Sequence, residues 1–95
     1  MITGKQRAAL RKMANQIQAL YQIGKDGITE NVMAQLDDAL EARELIKVHI
    51  LDSALLETRE TADEIAARLG AESVQSIGSK FVLYRRSQNN PKIEI

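Results

Sequence analysis

The run from residue 45 to residue 51, LIKVHIL, is the clearest strand pattern in the chain and constrains the fold most strongly. Branched and apolar residues dominate it, as is typical of a strand that packs in a sheet. Successive side chains of a strand point to opposite faces, so the β-branched residues share one face while Lys47 and His49 lie on the other. A face that carries a lysine and a histidine is not expected to be fully covered. The pattern therefore predicts a sheet with one buried face and one partly open face.

Helical patterns lie on both sides of this strand. Each begins with a residue that can cap a helix through its side-chain oxygen, and apolar residues recur behind it at helical spacing. The predicted helices start at Thr3, Thr29 and Thr61, and the first and third end near Gln18 and at Gly70. The acidic side chains of the second helix point away from its apolar stripe, and we expect them to be solvated; they are Asp37, Asp38 and Glu41.

Shorter strand patterns cover residues 19–23, 73–77 and 80–84, and Gly78 and Ser79 form a favourable turn between the last two. The predicted order of elements is α-β-α-β-α-β-β. A helix joins the first two strands, which should therefore be parallel, whereas the last two should form an antiparallel hairpin. The pattern predicts an α/β fold in which helices pack on a mixed four-stranded sheet.

A length of 95 residues allows one domain with one core. We expect that domain over residues 1–86, followed by a loose, polar, turn-rich tail over residues 87–95. There is no cysteine and only one histidine, so no disulfide, metal or cofactor is expected. The sequence shows no secretion signal and no apolar run of about 18 residues, which favours a cytoplasmic protein without membrane contact. A monomer is expected.

Charge is unevenly distributed along the chain, although the formal net charge is zero. Residues 1–28 carry a net charge of +4, residues 29–72 carry −7 and residues 73–95 carry +3. If the two ends of the chain meet in the fold, one face of a neutral molecule becomes basic. A basic face favours a nucleic-acid partner, whereas scattered charges would only keep the protein solvated.

The sequence Gly24-Lys25-Asp26-Gly27 lies between the first predicted strand and the second predicted helix. Glycine takes positive φ readily, and its missing Cβ lets another backbone come close. The N–H groups at the start of the following helix favour an anion, and Lys25 adds a positive charge. Together these features predict a cradle for a phosphodiester backbone. A plain tight turn is the alternative, because two glycines three residues apart are common in turns.

Basic side chains outside this loop supply further candidate contacts to nucleic acid. Helical spacing puts Lys5 and Lys12 on one flank of the apolar stripe of the first helix, and Arg7 and Arg11 on the other. Either pair can border the glycine loop. The complete set of predicted binding residues is Gly24, Lys25, Gly27, Lys5, Arg7, Arg11, Lys12, Lys47, Arg85 and Arg86.

Short motifs of the chain occur in a characteristic order: TGKQR at residues 3–7, LRK at 10–12, IGKDG at 23–27, ELIKV at 44–48 and LYR at 83–85. Their order and spacing resemble the CRM domain family (chloroplast RNA splicing and ribosome maturation) in its small stand-alone bacterial form, the YhbY type. The likeness covers residues 2–86. It implies an RNA-binding domain with a fold similar to the C-terminal domain of translation initiation factor three. It also implies association with the precursor of the large ribosomal subunit, with ribosomal proteins as further partners.

In that family the glycine loop is compared with the GxxG loop of KH domains, which clamps backbone nucleotides. Here the loop follows a strand, whereas in KH domains it joins two helices. The chain departs from the family pattern where Asn15 replaces a common histidine, where Ala42 and Arg43 precede Glu44, and where Ser79 replaces a residue that is often basic. None of these changes removes the glycines of the clamp. Because Ser79 removes a possible phosphate contact, the hairpin tip is expected to contribute less to binding than the glycine loop.

An RNA-binding assembly factor accounts for the loop, the charge distribution and the resemblance. A protein-interaction adaptor, which would use the acidic middle of the chain to bind a basic ribosomal protein, is the alternative. An enzyme is not expected, because the chain has no cysteine and only one histidine and because Lys25 lacks the spacing of a Walker motif. The aromatic residues Tyr21, Phe81 and Tyr84 fit core positions, so stacking on bases should be absent and base specificity weak.

Overall fold

The structure is a computed structural model that describes residues 2–95. Its helices are α1 (Gly4–Ala14), α2 (Glu30–Arg43) and α3 (Thr58–Leu69), and its strands are β1 (Tyr21–Ile23), β2 (Leu45–Ile50), β3 (Glu72–Ile77) and β4 (Lys80–Tyr84). A short 3₁₀ turn, Asp52–Ala54, connects β2 to α3. The predicted order of elements is confirmed. Within residues 2–95, no helix is both long and apolar enough to cross a membrane.

The strands form one sheet in the order β1-β2-β4-β3. β1 runs parallel to β2, whereas β4 is antiparallel to both β2 and β3. The predicted mixed four-stranded sheet is therefore confirmed. β2 and β4 are the inner strands, and β1 and β3 are the two edges.

The main core lies between the sheet and the helices α2 and α3. Ile46, Val48 and Ile50 of β2 pack there with Phe81 and Leu83 of β4, and none of these is more than 3% exposed. The alternation predicted for β2 is thus confirmed, since its branched residues share the buried face. Burial of this branched and aromatic surface is the principal stabilising contribution to the fold.

Helix α1 covers only part of the opposite face of the sheet. Leu10 and Ala14 are buried against apolar residues of β2, β3 and β4 in a second, smaller cluster. With 11 residues α1 is about 16 Å long, too short to cover the whole face. Lys47 and His49, which alternate with the core residues of β2, remain half-buried on this side.

Two helix boundaries differ from the prediction. α1 ends at Ala14 rather than near Gln18. Beyond Ala14, hydrogen bonds join residues three apart, from the Gln16 N–H to the Met13 carbonyl and from the Ile17 N–H to the Ala14 carbonyl. Hydrogen bonds of this 3₁₀ type tighten the last turn of a helix and change the direction of the chain. The apolar stripe gave no sign of this turn, since Ile17 still packs against the second cluster from outside the helix.

The third helix starts at Thr58, three residues before the predicted cap at Thr61. Its actual cap is Glu57, whose carboxylate accepts the N–H groups of Arg59 at 3.2 Å and Glu60 at 2.6 Å. Thr61 lies inside the helix and is buried, and its hydroxyl donates to the carbonyl of Glu57 at 2.7 Å. The capping-box pattern at Thr61 was therefore misleading.

The C-terminal tail, residues 87–95, is docked on the domain, so the expectation of a loose tail is wrong. The carboxylate of Glu44 accepts backbone N–H groups from Ser87 at 2.8 Å, Lys92 at 2.6 Å and Ile93 at 2.8 Å. Glu44 is fully buried, and Ser87 is only 4% exposed. Ile93 also packs against the second cluster.

Two acidic residues of α2 that were expected to be merely solvated also form specific contacts. Glu41 accepts the hydroxyl of Ser87 at 2.6 Å and the backbone N–H groups of the two residues that follow it. Asp37 forms an ion pair with Arg85 at 2.6 Å. The error has a simple cause. Helical periodicity shows which residues point away from the apolar stripe of their helix, but it does not show whether a distant segment of the chain packs over them.

Candidate nucleic-acid interface

The glycine loop, residues 24–27, lies beside two other turns at one end of the sheet. The Leu51 N–H donates to the carbonyl of Ile23 at 2.9 Å, which joins the end of β2 to the end of β1. The Ile50 N–H donates to the carbonyl of Ser79 at 2.7 Å, which joins β2 to the β3–β4 turn. The glycine loop, the end of β2 and the β3–β4 turn therefore form one end of the molecule, called here the loop end.

The loop itself is a hydrogen-bonded four-residue turn, closed by the Gly27 N–H and the Gly24 carbonyl at 2.9 Å. Gly27 has φ +72°, a conformation that strongly favours glycine. Gly24 does not have positive φ, and a Cβ added there would meet the Leu51 Cδ1 at 3.8 Å, an ordinary van der Waals contact. The backbone conformation thus requires Gly27 and does not require Gly24.

Helix α2 begins directly after the loop. The Thr29 hydroxyl caps it by accepting the Val32 N–H at 3.1 Å, as predicted. Lys25 and Asp26, at the tip of the loop, are both exposed. A positive charge next to the positive end of a helix dipole attracts an anion, although Asp26 and Glu30 oppose that attraction.

The open face of the sheet adds basic groups to the loop end. His49 lies opposite Gln22 of β1 on one side and opposite Lys80 of β4 on the other. Lys47 is two residues back along β2, on the same face, and lies opposite Val82. Lys80 is exposed and was not among the predicted binding residues. Its position directly after the predicted turn, at the start of β4, was the sequence feature that could have identified it as a binding residue.

Arg7 and Arg11 face the β3 edge rather than the glycine loop. The Arg7 guanidinium donates to the carbonyl of Ser73 and approaches that of Val74 at 3.5 Å. Both arginines line a groove that follows β3 as far as Gly78. β3 and β1 are opposite edges of the sheet, about 14 Å apart across three strand spacings. Arg7 is bonded near the start of β3, away from the β3–β4 turn, so the structure places this pair on the β3 edge and not beside the glycine loop.

Lys5 and Lys12 are exposed on α1. Their helical positions place them on the side of α1 away from Leu10 and Ala14, which face the sheet. The structure therefore puts this pair on the outer surface of α1, and the structure does not bring it together with the glycine loop.

Arg85 and Arg86 lie at the other end of the sheet. Lys80 and Tyr84 bound β4, so its two ends are about 13 Å apart. The Arg85 guanidinium binds the Asp37 carboxylate at 2.6 Å and the Leu69 carbonyl at 3.0 Å, which ties α2 to the end of α3. Arg86 is exposed. The predicted binding residues therefore divide into a set near the loop end and a set remote from it.

The carboxylates that hold the tail have altered pKa values. For Glu41, the hydroxyl of Ser87, followed by the N–H groups of Gln88 and Asn89, lowers the pKa from its ordinary value of 4.5. For Glu44, burial favours a higher pKa, but the N–H groups of the tail outweigh it and the pKa is lowered. Burial raises the pKa of the Tyr84 phenol, and the nearby Glu44 carboxylate raises it further.

Comparison with known proteins identifies the family. The CRS1 / YhbY (CRM) domain matches residues 2–85. The chain belongs to this family. The "Probable RNA-binding protein YqeI" of Bacillus subtilis is 39% identical over 95 residues, which cover 100% of this chain and 99% of that protein. An "RNA-binding protein" of Haemophilus influenzae is 32% identical over 87 residues, which cover 92% of this chain and 88% of that protein.

A solved structure supports the CRM fold independently. A solution structure of a Staphylococcus aureus protein, described as "a putative RNA binding protein", superposes with a TM-score of 0.80. The two chains share 45% sequence identity, and the match covers 100% of this chain and 99% of the other. The predicted resemblance to CRM domains and the predicted fold class are therefore confirmed.

The aromatic residues of this CRM domain all contribute to packing. Phe81 and Tyr84 are buried, and Tyr21 is half-buried against the main core. Within residues 2–95, no group of three or more histidine, cysteine or acidic residues could hold a metal ion. The loop end offers ammonium groups, amides, an imidazole and backbone N–H groups, together with the exposed carboxylate of Asp26.

Proposed function

We propose that this CRM domain is an RNA-binding ribosome assembly factor that acts in the cytoplasm as a monomer on precursor RNA of the large ribosomal subunit. The observation that carries the proposal is the position of the glycine loop. The backbone conformation at position 24 does not require glycine, and Gly24 lies beside an exposed lysine and close to the start of α2. A glycine that the fold does not require is explained if another backbone approaches it closely.

In this proposal the glycine loop contacts the sugar-phosphate backbone. Gly24 and Gly27 leave space for a phosphate near the N–H groups of the loop and of the first turn of α2, and Lys25 supplies charge. Lys47, on the open face of the sheet, extends the contact. Recognition then depends on phosphate, sugar and RNA shape, with little reading of bases.

The remaining basic residues take secondary parts. Arg11 lines the β3 groove and can contact RNA that extends past the β3–β4 turn. Arg7 lies in the same groove with its guanidinium engaged by Ser73. Lys5, Lys12 and Arg86 are exposed and add long-range attraction, which salt screens. Arg85 contributes least, because its guanidinium is already paired with Asp37.

The adaptor alternative is weaker. It needs the acidic middle of the chain, which includes the acidic face of α2, to be free for a basic partner. Asp37 and Glu41 of that face are engaged with Arg85 and with the tail. Asp38 of α2 and the α3 residues Glu60, Asp63 and Glu64 are exposed and remain available, but the adaptor alternative gives the glycine loop no role.

The test is an electrophoretic shift with a structured fragment of precursor large-subunit RNA at two or more salt concentrations. If roughly four to six phosphates are neutralised, log K should fall with log salt at a slope of about −3 to −5. Lys25→Glu should weaken binding by more than about tenfold with the fold intact, because it replaces a phosphate contact by a repulsive charge. A flat salt response, with no shift on structured RNA, would reject the proposal.

A matched control is Arg68→Glu. It makes the same change in net charge at an exposed position near the C-terminal end of α3, where Arg68 pairs with Glu64 at 3.5 Å. It should leave RNA affinity within about twofold, because an exposed pair contributes little and lies away from the loop end. Equal losses for the two variants would show that only net charge matters.

A further inference from the structure

We infer that the hollow between the end of α1 and the open face of the sheet binds one ribose-phosphate unit of RNA, with Asn15 and Gln75 distinguishing ribose from deoxyribose. The α1 hollow is lined by Asn15, Lys47, Gln75, Ile77, Lys80 and Val82. The inference rests on the proposed RNA binding and adds to it a site outside the glycine loop. The basis is the geometry, size and chemistry of this hollow.

The hollow exists because α1 stops early. The chain turns sharply after Ala14, so the sheet beyond that point has no helix over it. Asn15, the first residue after α1, is exposed at the rim. Had the helix continued to Gln18, as its apolar stripe predicted, its last turn would have continued across this side of the sheet.

Strand register brings the other lining residues to the same face. Lys47 and Gln75 both lie opposite Val82, so the three side chains form one row across β2, β4 and β3. Lys80 and Ile77 lie opposite each other in the next row. A register irregularity between Ser73 and Gln75 allows this arrangement.

That irregularity has a specific effect on β3. Val74 is buried in the second cluster, and the next residue, Gln75, is only half-buried and lies opposite Val82 of the same face. A bulge lets adjacent residues share a face that regular alternation would divide. One of them completes the core and the other presents an amide to the hollow.

The size of the hollow limits what it can bind. Its volume is about 140 Å³. Pockets for drug-sized ligands measure roughly 300–1,000 Å³, whereas a water molecule occupies about 30 Å³ of liquid. The hollow is therefore too small for a whole nucleotide and suits a ribose with part of its phosphate.

The lining groups match those two components separately. The ammonium groups of Lys47 and Lys80 only donate and carry charge, which suits phosphate oxygens. The amides of Asn15 and Gln75 both donate and accept, as the ribose 2′-hydroxyl does. The apolar side chain of Val82 provides a surface for the sugar carbons. No carboxylate is part of this lining.

The hollow is close enough to the glycine loop for one RNA strand to reach both. β4, which carries Lys80, is two strand spacings from β1, which leads into the loop, a distance of about 10 Å. His49 of β2 lies between these strands, in one row with Lys80 of β4 and Gln22 of β1. A few consecutive nucleotides span this distance, with the loop holding one phosphate and the hollow holding a neighbouring ribose.

The experiment compares RNA with DNA. The affinities of the full chain for an RNA hairpin and for a DNA hairpin of the same sequence are measured across a salt series. We expect the wild type to prefer RNA, and the double variant Asn15→Leu with Gln75→Leu to reduce that preference by roughly tenfold, because two neutral hydrogen bonds to the 2′-hydroxyl are lost. DNA affinity and the RNA salt slope should stay unchanged, because the phosphate contacts remain.

Two further variants separate the components. Lys80→Gln should weaken RNA and DNA alike and make the salt slope shallower by about one. Gln16→Leu, an exposed amide next to Asn15 that is not part of the lining, should change neither affinity nor preference. Circular dichroism monitors the fold of each variant.

The outcomes distinguish this inference from the proposed function. If the wild type binds RNA and the double variant keeps the same RNA-to-DNA preference, the α1 hollow is not a ribose site, and RNA binding through the glycine loop still stands. The same holds if the wild type binds RNA and DNA equally. If the wild type binds neither, the proposed function is wrong and the inference falls with it.

Discussion

The buried carboxylate of Glu44 accepts the backbone N–H of Ile93 at 2.8 Å, across 49 positions of sequence. Glu44 ends helix α2 with φ +68°, an uncommon conformation for a residue with a side chain. The backbone carbonyl of the same residue accepts the Arg85 N–H at 2.9 Å. One residue thus joins the end of a helix, the end of β4 and the tail, so changes at Glu44 should affect stability and not only the tail.

Glu44→Gln should destabilise the domain. The amide keeps one acceptor oxygen, which can still accept the N–H groups of Lys92 and Ile93, but its NH₂ group then faces the Ser87 N–H, which it cannot accept. Loss of charged acceptors in a buried site typically costs about 1.5–3 kcal/mol, which corresponds to a fall of roughly 6 °C or more in Tm for a domain of this size. Thermal unfolding followed by circular dichroism measures the change. Glu64→Gln, which removes an exposed ion pair, should by comparison leave Tm nearly unchanged.

Removal of residues 87–95 should also lower Tm, by more than about 5 °C. The deletion takes away the hydrogen bonds to Glu41 and Glu44 and the contact of Ile93 with the second cluster. It also leaves Glu44 with a carboxylate that has lost its donors. If the truncated chain has the same Tm as the full-length protein, the docked tail does not stabilise the domain.

Stability should decrease in acid because of the same two carboxylates. The folded-state pKa values of Glu41 and Glu44 lie below 4.5, their ordinary value. A group with a depressed folded-state pKa stabilises the fold fully above its unfolded-state pKa, and this contribution is lost as the pH falls through the folded-state pKa. Tm should therefore be steady above about pH 5.5 and fall below about pH 4.5. The Glu44→Gln variant should show a smaller fall over that range, and an equal fall would assign the acid sensitivity elsewhere.

The two glycines of the loop should respond differently to alanine. Gly27→Ala forces a residue with a Cβ to φ +72° and should cost about 1 kcal/mol of stability. Gly24→Ala meets only an ordinary contact with Leu51 and should leave Tm unchanged. If RNA approaches the loop backbone, Gly24→Ala should nevertheless weaken RNA binding several-fold. Full RNA affinity in a stable Gly24→Ala variant would reduce the loop to a plain turn.

Lys25 and Arg85 should separate binding from stability. Lys25→Ala is expected to reduce the magnitude of the RNA salt slope by about one and to leave Tm unchanged, because the side chain is exposed. Arg85→Ala is expected to lower Tm and to leave the slope unchanged, because its guanidinium joins Asp37 to the end of α3. The reverse pattern would move the binding surface to the opposite end of the sheet.

The sequence was sufficient for the parts of the fold that depend on local periodicity. The alternation in β2 identified its buried and open faces, and Thr29 was correctly assigned as the cap of α2. The strand order could not be read in the same way, because the pairing of β2 with β4 depends on contacts between segments distant in sequence. The start of α3 was missed since Glu57, a less usual cap, acts in place of Thr61.

The candidate site was predictable only in part for the same reason. The glycine loop was apparent from residues close in sequence, as was the open position of Lys47. The tail contacts of Glu41 and Glu44 were not, because an acidic residue on a helix surface looks the same whether or not a distant segment covers it. The α1 hollow depends on an early helix end and a bulge in β3, and the sequence pattern signalled neither of them.

Arg7 covers part of an edge strand of the sheet, and this affects how a second molecule can contact that edge. An uncovered edge strand offers a row of free N–H and C=O groups on which a second chain can add a strand, and this is a common route to aggregation. β3 is such an edge, and the Arg7 guanidinium occupies the Ser73 carbonyl while lying over the Val74 carbonyl. A long side chain from another element therefore blocks part of this edge. A residue that the sequence suggested as an RNA contact thereby also leaves fewer free backbone groups on this edge for a second chain to pair with.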